Sequence, residues 1–84
     1  MRFYLQTPPT ADGYPRFYHL FLQEDLLSGW MLIKETGQQG RSGKVTKLHF
    51  DDHEQAMEAL IKARDVQIQR GYRVVFVNGE QSPS

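Results

Sequence analysis

From Arg16 to Glu24 the chain carries large side chains in both phases of a two-residue repeat, with Phe17, His19 and Phe21 in one phase and Tyr18, Leu20 and Leu22 in the other. Successive strand residues point to opposite faces of a sheet, so this pattern predicts a central strand covered on at least one side. Shorter strand-like runs surround it at residues 1–6, 30–35 and 44–50, with residues 25–29 as the turn between the second and third strands. In the run from Lys44 to Phe50, Thr46, Leu48 and Phe50 fall on one side and Val45, Lys47 and His49 on the other. The Leu48/Phe50 side is expected to be buried. Between the first two strands, the prolines at 8 and 9 remove backbone donors and fix φ, so residues 7–13 read as a break. Gly37, Gly40 and Gly43 punctuate the connection between the third and fourth strands, where glycine permits the positive φ of a hairpin.

The period changes after Phe50. With Leu60 at the centre of a helical wheel, Ala56, Met57 and Ala63 fall beside it, while Glu58, Lys62, Asp65 and Gln69 fall opposite. That is the amphipathic pattern of a helix packed on a core. Asp51 suits the N-cap, and Glu54 three residues later suits a capping box, so a helix of about five turns is expected over residues 51–70. Gly71 is placed to end it in a left-handed C′ conformation. The β-branched and aromatic run at residues 72–77 then predicts a last strand or an extended arm, and residues 78–84 a polar tail. The chain therefore predicts one α+β domain over residues 1–77: a twisted antiparallel β-sheet with one α-helix packed across it.

Ten basic and ten acidic side chains cancel, so net charge gives no support for a polyanionic partner. Their distribution is uneven. Residues 34–47 hold Lys34, Arg41, Lys44 and Lys47 against Glu35 alone, a local balance of +3, whereas residues 51–65 hold five acids against Lys62 and Arg64, a balance of −3. Such a dipolar layout steers an anion to one side of a molecule. The absence of cysteine excludes a disulfide framework and a thiolate metal site and fits a reducing compartment. Without a signal-peptide run or a membrane-length apolar stretch, a cytoplasmic, non-membrane protein is the expectation.

Enzyme-like chemistry finds little footing. His49, Asp51, Asp52 and His53 are ligands or proton carriers by type, but they straddle a strand-to-helix junction, where acids serve as caps and complement the helix dipole. The glycine loop fails as a Walker A loop, because Gly43-Lys44 is followed by Val45, and it does not give G-x-G-x-x-G either. Tyr14, Phe17, Tyr18 and Phe21 could form a base-stacking platform, although at strand spacing such a set is expected to fill the core. No catalytic residue, cofactor or metal site is predicted.

The ordered landmarks Arg2-Phe3, Phe17-Tyr18, the glycine turn at 37–43, Phe50, Ala56 and Gly71-Tyr72 together resemble the WGR domain family, and free-standing bacterial WGR proteins in particular. The resemblance covers nearly the whole chain and implies the same fold. The family's Trp-Gly-Arg triplet falls on Thr36-Gly37-Gln38, so its glycine alone is kept, and a lysine that members often carry near the helix end falls on Gln67. In the poly(ADP-ribose) polymerases this module binds the ends of broken DNA through the triplet's aromatic and arginine. The resemblance implies a non-catalytic, DNA-binding module whose site positions here are Lys34, Thr36, Gln38, Arg41, Lys44 and Lys47. Lacking the guanidinium fork and the ring of the triplet, such a chain is expected to bind DNA backbone weakly and without sequence preference. The alternative is a protein-interaction adaptor that has kept the fold and lost the DNA face. All four bases, Lys34, Arg41, Lys44 and Lys47, on one open face would favour the first reading, and an exposed apolar patch the second.

Overall fold

The computed structural model of the chain describes residues 1–8 and 13–79. It is a five-stranded antiparallel sheet with one helix across it. In chain order the elements are β1 (Arg2–Gln6), β2 (Arg16–Glu24), β3 (Trp30–Gln38), β4 (Lys44–Phe50), α1 (His53–Gln69) and β5 (Arg73–Asn78). The strands lie in the order β4-β3-β2-β1-β5, so β2 is the central strand and β4 and β5 form the two edges. The residues at 9–12, inside the expected break, lie outside the described part, as do residues 80–84 of the expected tail. Asn78 belongs to β5, where it pairs with Arg2, so the last strand runs one residue past its expected end.

The alternation of β2 sorts the two faces. Leu20 and Leu22 point toward the helix and pack with Phe3 and Leu5 of β1 and Leu32 of β3 against Ala56 and Leu60. Leu5, Leu20, Leu32 and Leu60 are fully buried. The expected inward face of the helix is therefore found, with Glu58, Lys62, Asp65 and Gln69 turned to solvent. Phe17, His19 and Phe21 occupy the other face of the sheet, which the helix leaves uncovered.

Three local expectations shift. The N-cap is Asp52, one residue later than expected: its carboxylate accepts from the backbone N–H of Gln55 at 2.8 Å. The wheel fixes the helix face but not which of two adjacent aspartates caps it. β3 continues through Thr36, Gly37 and Gln38, which pair with Tyr18, Phe17 and Arg16 of the long β2 strand, so the hairpin connection is only residues 39–43. Leu48 does point to the helix side with Phe50, yet it is 39% exposed because β4 is an edge strand that the helix barely reaches.

At its other end the helix closes as the sequence suggests. Gly71 has φ +101, its N–H donates to the Ile68 carbonyl, and the Tyr72 N–H donates to the Gln67 carbonyl, each at 3.0 Å. This pair of bonds is the Schellman arrangement, and it turns the chain directly into β5. No helix among the described residues is long and apolar enough to cross a membrane.

Candidate nucleic-acid interface

Strand alternation divides the six candidate residues. The pairs Arg16↔Gln38, Tyr18↔Thr36 and Leu20↔Lys34 across β2 and β3, with Thr36↔Lys44 and Lys34↔Thr46 across β3 and β4, share the side of Leu20 and hence of the helix. Lys34, Thr36, Gln38 and Lys44 are thus brought together. Lys47, paired with Ile33, projects from the opposite face, and Arg41 sits in the exposed hairpin connection. The basic stretch is one run in sequence and two surfaces in space.

On the helix side Thr36 and Gln38 line a cleft of about 270 Å³ together with Arg16, Gly37 and Tyr72. Lys34 runs along the adjoining groove with Tyr18, Lys62 and the buried Gln67. Tyr72 meets Tyr18 edge to face, with ring centroids 5.8 Å apart and planes at 84°. Burial pushes the Tyr18 phenol above its ordinary value, the neighbouring Tyr72 raises it further, and Arg70 opposes them. The phenol therefore stays neutral at physiological pH as a hydrogen-bonding group. Gln38 is partly occupied, since its Nε2 donates to the Tyr14 carbonyl at 3.4 Å and ties down the segment that leads into β2.

Among the described residues no carboxylate lies within ion-pair distance of Arg16, Lys34, Arg41, Lys44 or Lys47. Glu35 belongs to the other face, where it stands 3.8 Å from His19. The helix C-terminus beside Tyr72 is the opposing influence, because its exposed carbonyls disfavour negative charge. Two of those carbonyls, on Gln67 and Ile68, are already taken by the Schellman bonds.

The glycines of the hairpin do different work from the one expected. Gly40 alone of the three has positive φ, at +84. Gly37 and Gly43 are needed for space. A Cβ on Gly37 would lie 3.0 Å from the Gly43 Cα, and one on Gly43 would lie 2.8 Å from the Thr36 carbonyl oxygen. The two segments approach closely there, and the Phe17 ring lies against them from the uncovered face of the sheet.

The cluster at the strand-to-helix junction is tied into the fold. The Nε2–H of His49 donates to the Ser28 carbonyl at 3.0 Å, which fastens the β2–β3 turn to β4. His53 packs on Trp30 with ring centroids 4.6 Å apart, and Asp52 caps the helix. No three His, Asp or Glu side chains among the described residues form a group that could hold a metal ion.

Two cleft residues, Arg16 and Tyr72, were not among the sequence candidates. They become neighbours of the hairpin only through the β2–β3 register and through the return of the chain after Gly71. The signal that could have located Arg16 is the length of β2, which leaves a cation at the strand start facing the hairpin end. Comparison of the chain with protein-family models, with curated proteins and with solved structures finds no match.

Proposed function

We propose that this chain is a non-catalytic, WGR-like binding module that holds nucleic-acid backbone at the hairpin end of its helix-side face. The observation that carries this reading is that Arg16, in the cleft at Thr36–Gln38, shares the helix-side face with Lys34 and Lys44, and that none of the three has an acid partner among the described residues. Cations grouped on one face beside a polar cleft suit phosphate oxygens, and contacts of this kind position a backbone without reading its bases. Tyr72 and the Thr36 hydroxyl add hydrogen-bonding groups at the same place.

Fluorescence anisotropy with blunt and circular duplex DNA at low salt tests the reading. Non-specific affinity of about 10⁻⁴ to 10⁻⁶ M at physiological salt is expected. Three neutralised phosphates give a log–log salt slope of about −3. Arg16→Gln with Lys44→Gln removes about two from that slope, whereas Glu58→Gln on the outer helix face leaves it unchanged. Absence of binding at tens of micromolar protein, or a slope untouched by the double variant, refutes the proposal.

One feature favours the adaptor reading instead. β5 is an edge strand whose Val74, Val75, Phe76 and Val77 are 37–55% exposed, an apolar edge able to accept a strand from a partner protein. An adaptor leaves duplex DNA unbound, and its partner is lost on Val75→Lys.

A further inference from the structure

The uncovered face of the sheet carries a row of rings that the helix-side cleft does not use. Tyr4 of β1 stacks beside Phe17 of β2, with centroids 6.0 Å apart and planes within 3°. His19 lies 5.7 Å from Tyr4 and 4.8 Å from Phe21. The β1–β5 register sets Phe76, 53% exposed, directly across from Tyr4. We propose that this face is a binding site for single-stranded nucleic acid, with unpaired bases stacking on these rings and phosphates meeting the cations that border them.

Cations border the rings on this face. Register places Arg2, Lys47 and Arg73 on it with Glu35, while Glu24 and Asp25 flank Lys47 at the far end, so Arg2 and Arg73 are the cations set beside the rings away from those acids. None of the three cations has an ion-pair partner among the described residues. Arg2 lies with its guanidinium carbon 4.7 Å from the Phe21 centroid, so a cation and a π surface already share one spot. His19 adds a neutral ring rather than a charge. Burial and the Arg2 charge hold its pKa below the usual imidazole value, against a smaller opposing pull from Glu35.

The shape of the ligand follows from the same geometry. A duplex hides the faces of its bases inside the stack, whereas an unpaired strand offers them to aromatic side chains, each stack being sequence-tolerant because every base has a π face. The inference goes beyond the backbone site proposed above, since it uses the opposite face of the sheet and a different form of nucleic acid.

The test uses the full chain with fluorescent twelve-nucleotide dT and rU strands and a duplex of equal length, by anisotropy at low salt. The single strands are expected to bind more tightly than the duplex. Phe76→Ala, which removes a half-exposed ring, is expected to weaken them about tenfold. Arg2→Gln is expected to flatten the single-strand salt slope by about 0.7. A measurement independent of variants is the proton NMR of the wild-type chain, where the Tyr4, Phe17 and Phe21 ring signals should move as the strand is added. Lack of single-strand binding, still ring signals during binding, or unchanged affinity in Phe76→Ala each overturns the inference. Duplex binding that persists and still responds to Arg16 and Lys44 would leave the backbone reading standing. Loss of duplex binding with the ring shifts retained would do the reverse.

Discussion

Replacing Leu60 by alanine removes three carbons from the fully buried centre of the helix face. At about 0.8 kcal/mol per buried methylene, the transfer contribution is about 2.4 kcal/mol. The cavity adds to this, because one wall is a sheet held by its hydrogen-bonded ladders and cannot follow the helix inward. Leu→Ala at such sites costs about 2–5 kcal/mol, and about 3 is expected here. Domains carry roughly 0.05–0.15 kcal/mol of stability per residue, so this chain has about 4–13 kcal/mol to lose from. At roughly 4–8 °C per kcal/mol for a domain of this size, the melting temperature should fall by about 12–24 °C. Urea unfolding followed by the fluorescence of Trp30, the sole tryptophan and a half-buried neighbour of the core, reads the change directly. Leu27→Ala is the control. Leu27 is 93% exposed, and its loss should stay within about 0.5 kcal/mol. A cost below about 1 kcal/mol at Leu60, or equal costs at the two positions, would show that the helix does not pack through this face.

Asp52→Ala should cost about 1 kcal/mol through the lost cap, and Asp51→Ala much less, so a pair of urea titrations tells which aspartate caps the helix. Gly43→Ala pushes a methyl carbon to 2.8 Å from the Thr36 carbonyl oxygen and should cost about 1–3 kcal/mol, while Ser42→Ala one residue earlier should be near neutral. His19 gives a pH signature. Its folded pKa lies below its unfolded value, so its share of stability is present above the unfolded pKa of about 6.5 and is lost as pH falls through the folded one. Urea midpoints at several pH values should drop less steeply on the acid side in His19→Gln than in the wild type, and identical slopes would contradict the assignment.

Much of this fold is legible in the sequence because its elements announce themselves through independent signals. The double-phase pattern of β2 identifies a central strand, and the spacing around Leu60 identifies one helix face. Gly71 marks the helix end through a φ that only glycine accepts easily. What escaped reading depends on pairing partners far along the chain. Thr36, Gly37 and Gln38 look like loop because glycine punctuates them, and only the length of β2 recruits them into β3. The candidate site suffered the same limit. Lys34, Lys44 and Lys47 are close in sequence, yet Lys47 is displaced by an odd number of positions from Lys44 and must face the other way. Arg16 and Tyr72 join the cleft from 22 residues before Gln38 and 34 residues after it, a meeting that local spacing does not encode. The rings of Phe17 and Phe21 look like core until it is known that the helix has taken the aliphatic phase of β2.

That choice of phase gives a neutral chain two chemically distinct faces. A strand slipped by one residue would exchange every side chain between them. Leu20, Leu22 and Leu32 would then face solvent, and the charged group of Lys47 would face the helix. Burial of the leucines against Ala56 and Leu60 therefore fixes more than the core. It also dictates that Lys34 and Lys44 share the helix-side face with the Thr36–Gln38 cleft while Arg2, Lys47 and Arg73 share the face of the rings. Binding at the two proposed sites would be coupled to stability through register. A substitution that destabilises the leucine layer without touching any cation, such as Leu32→Ala, should leave binding on both faces unchanged while the chain stays folded. Binding and the core should then be lost together, at one denaturant concentration. Anisotropy and Trp30 fluorescence recorded across the same urea series would reveal separate transitions if the faces were organised independently of the core.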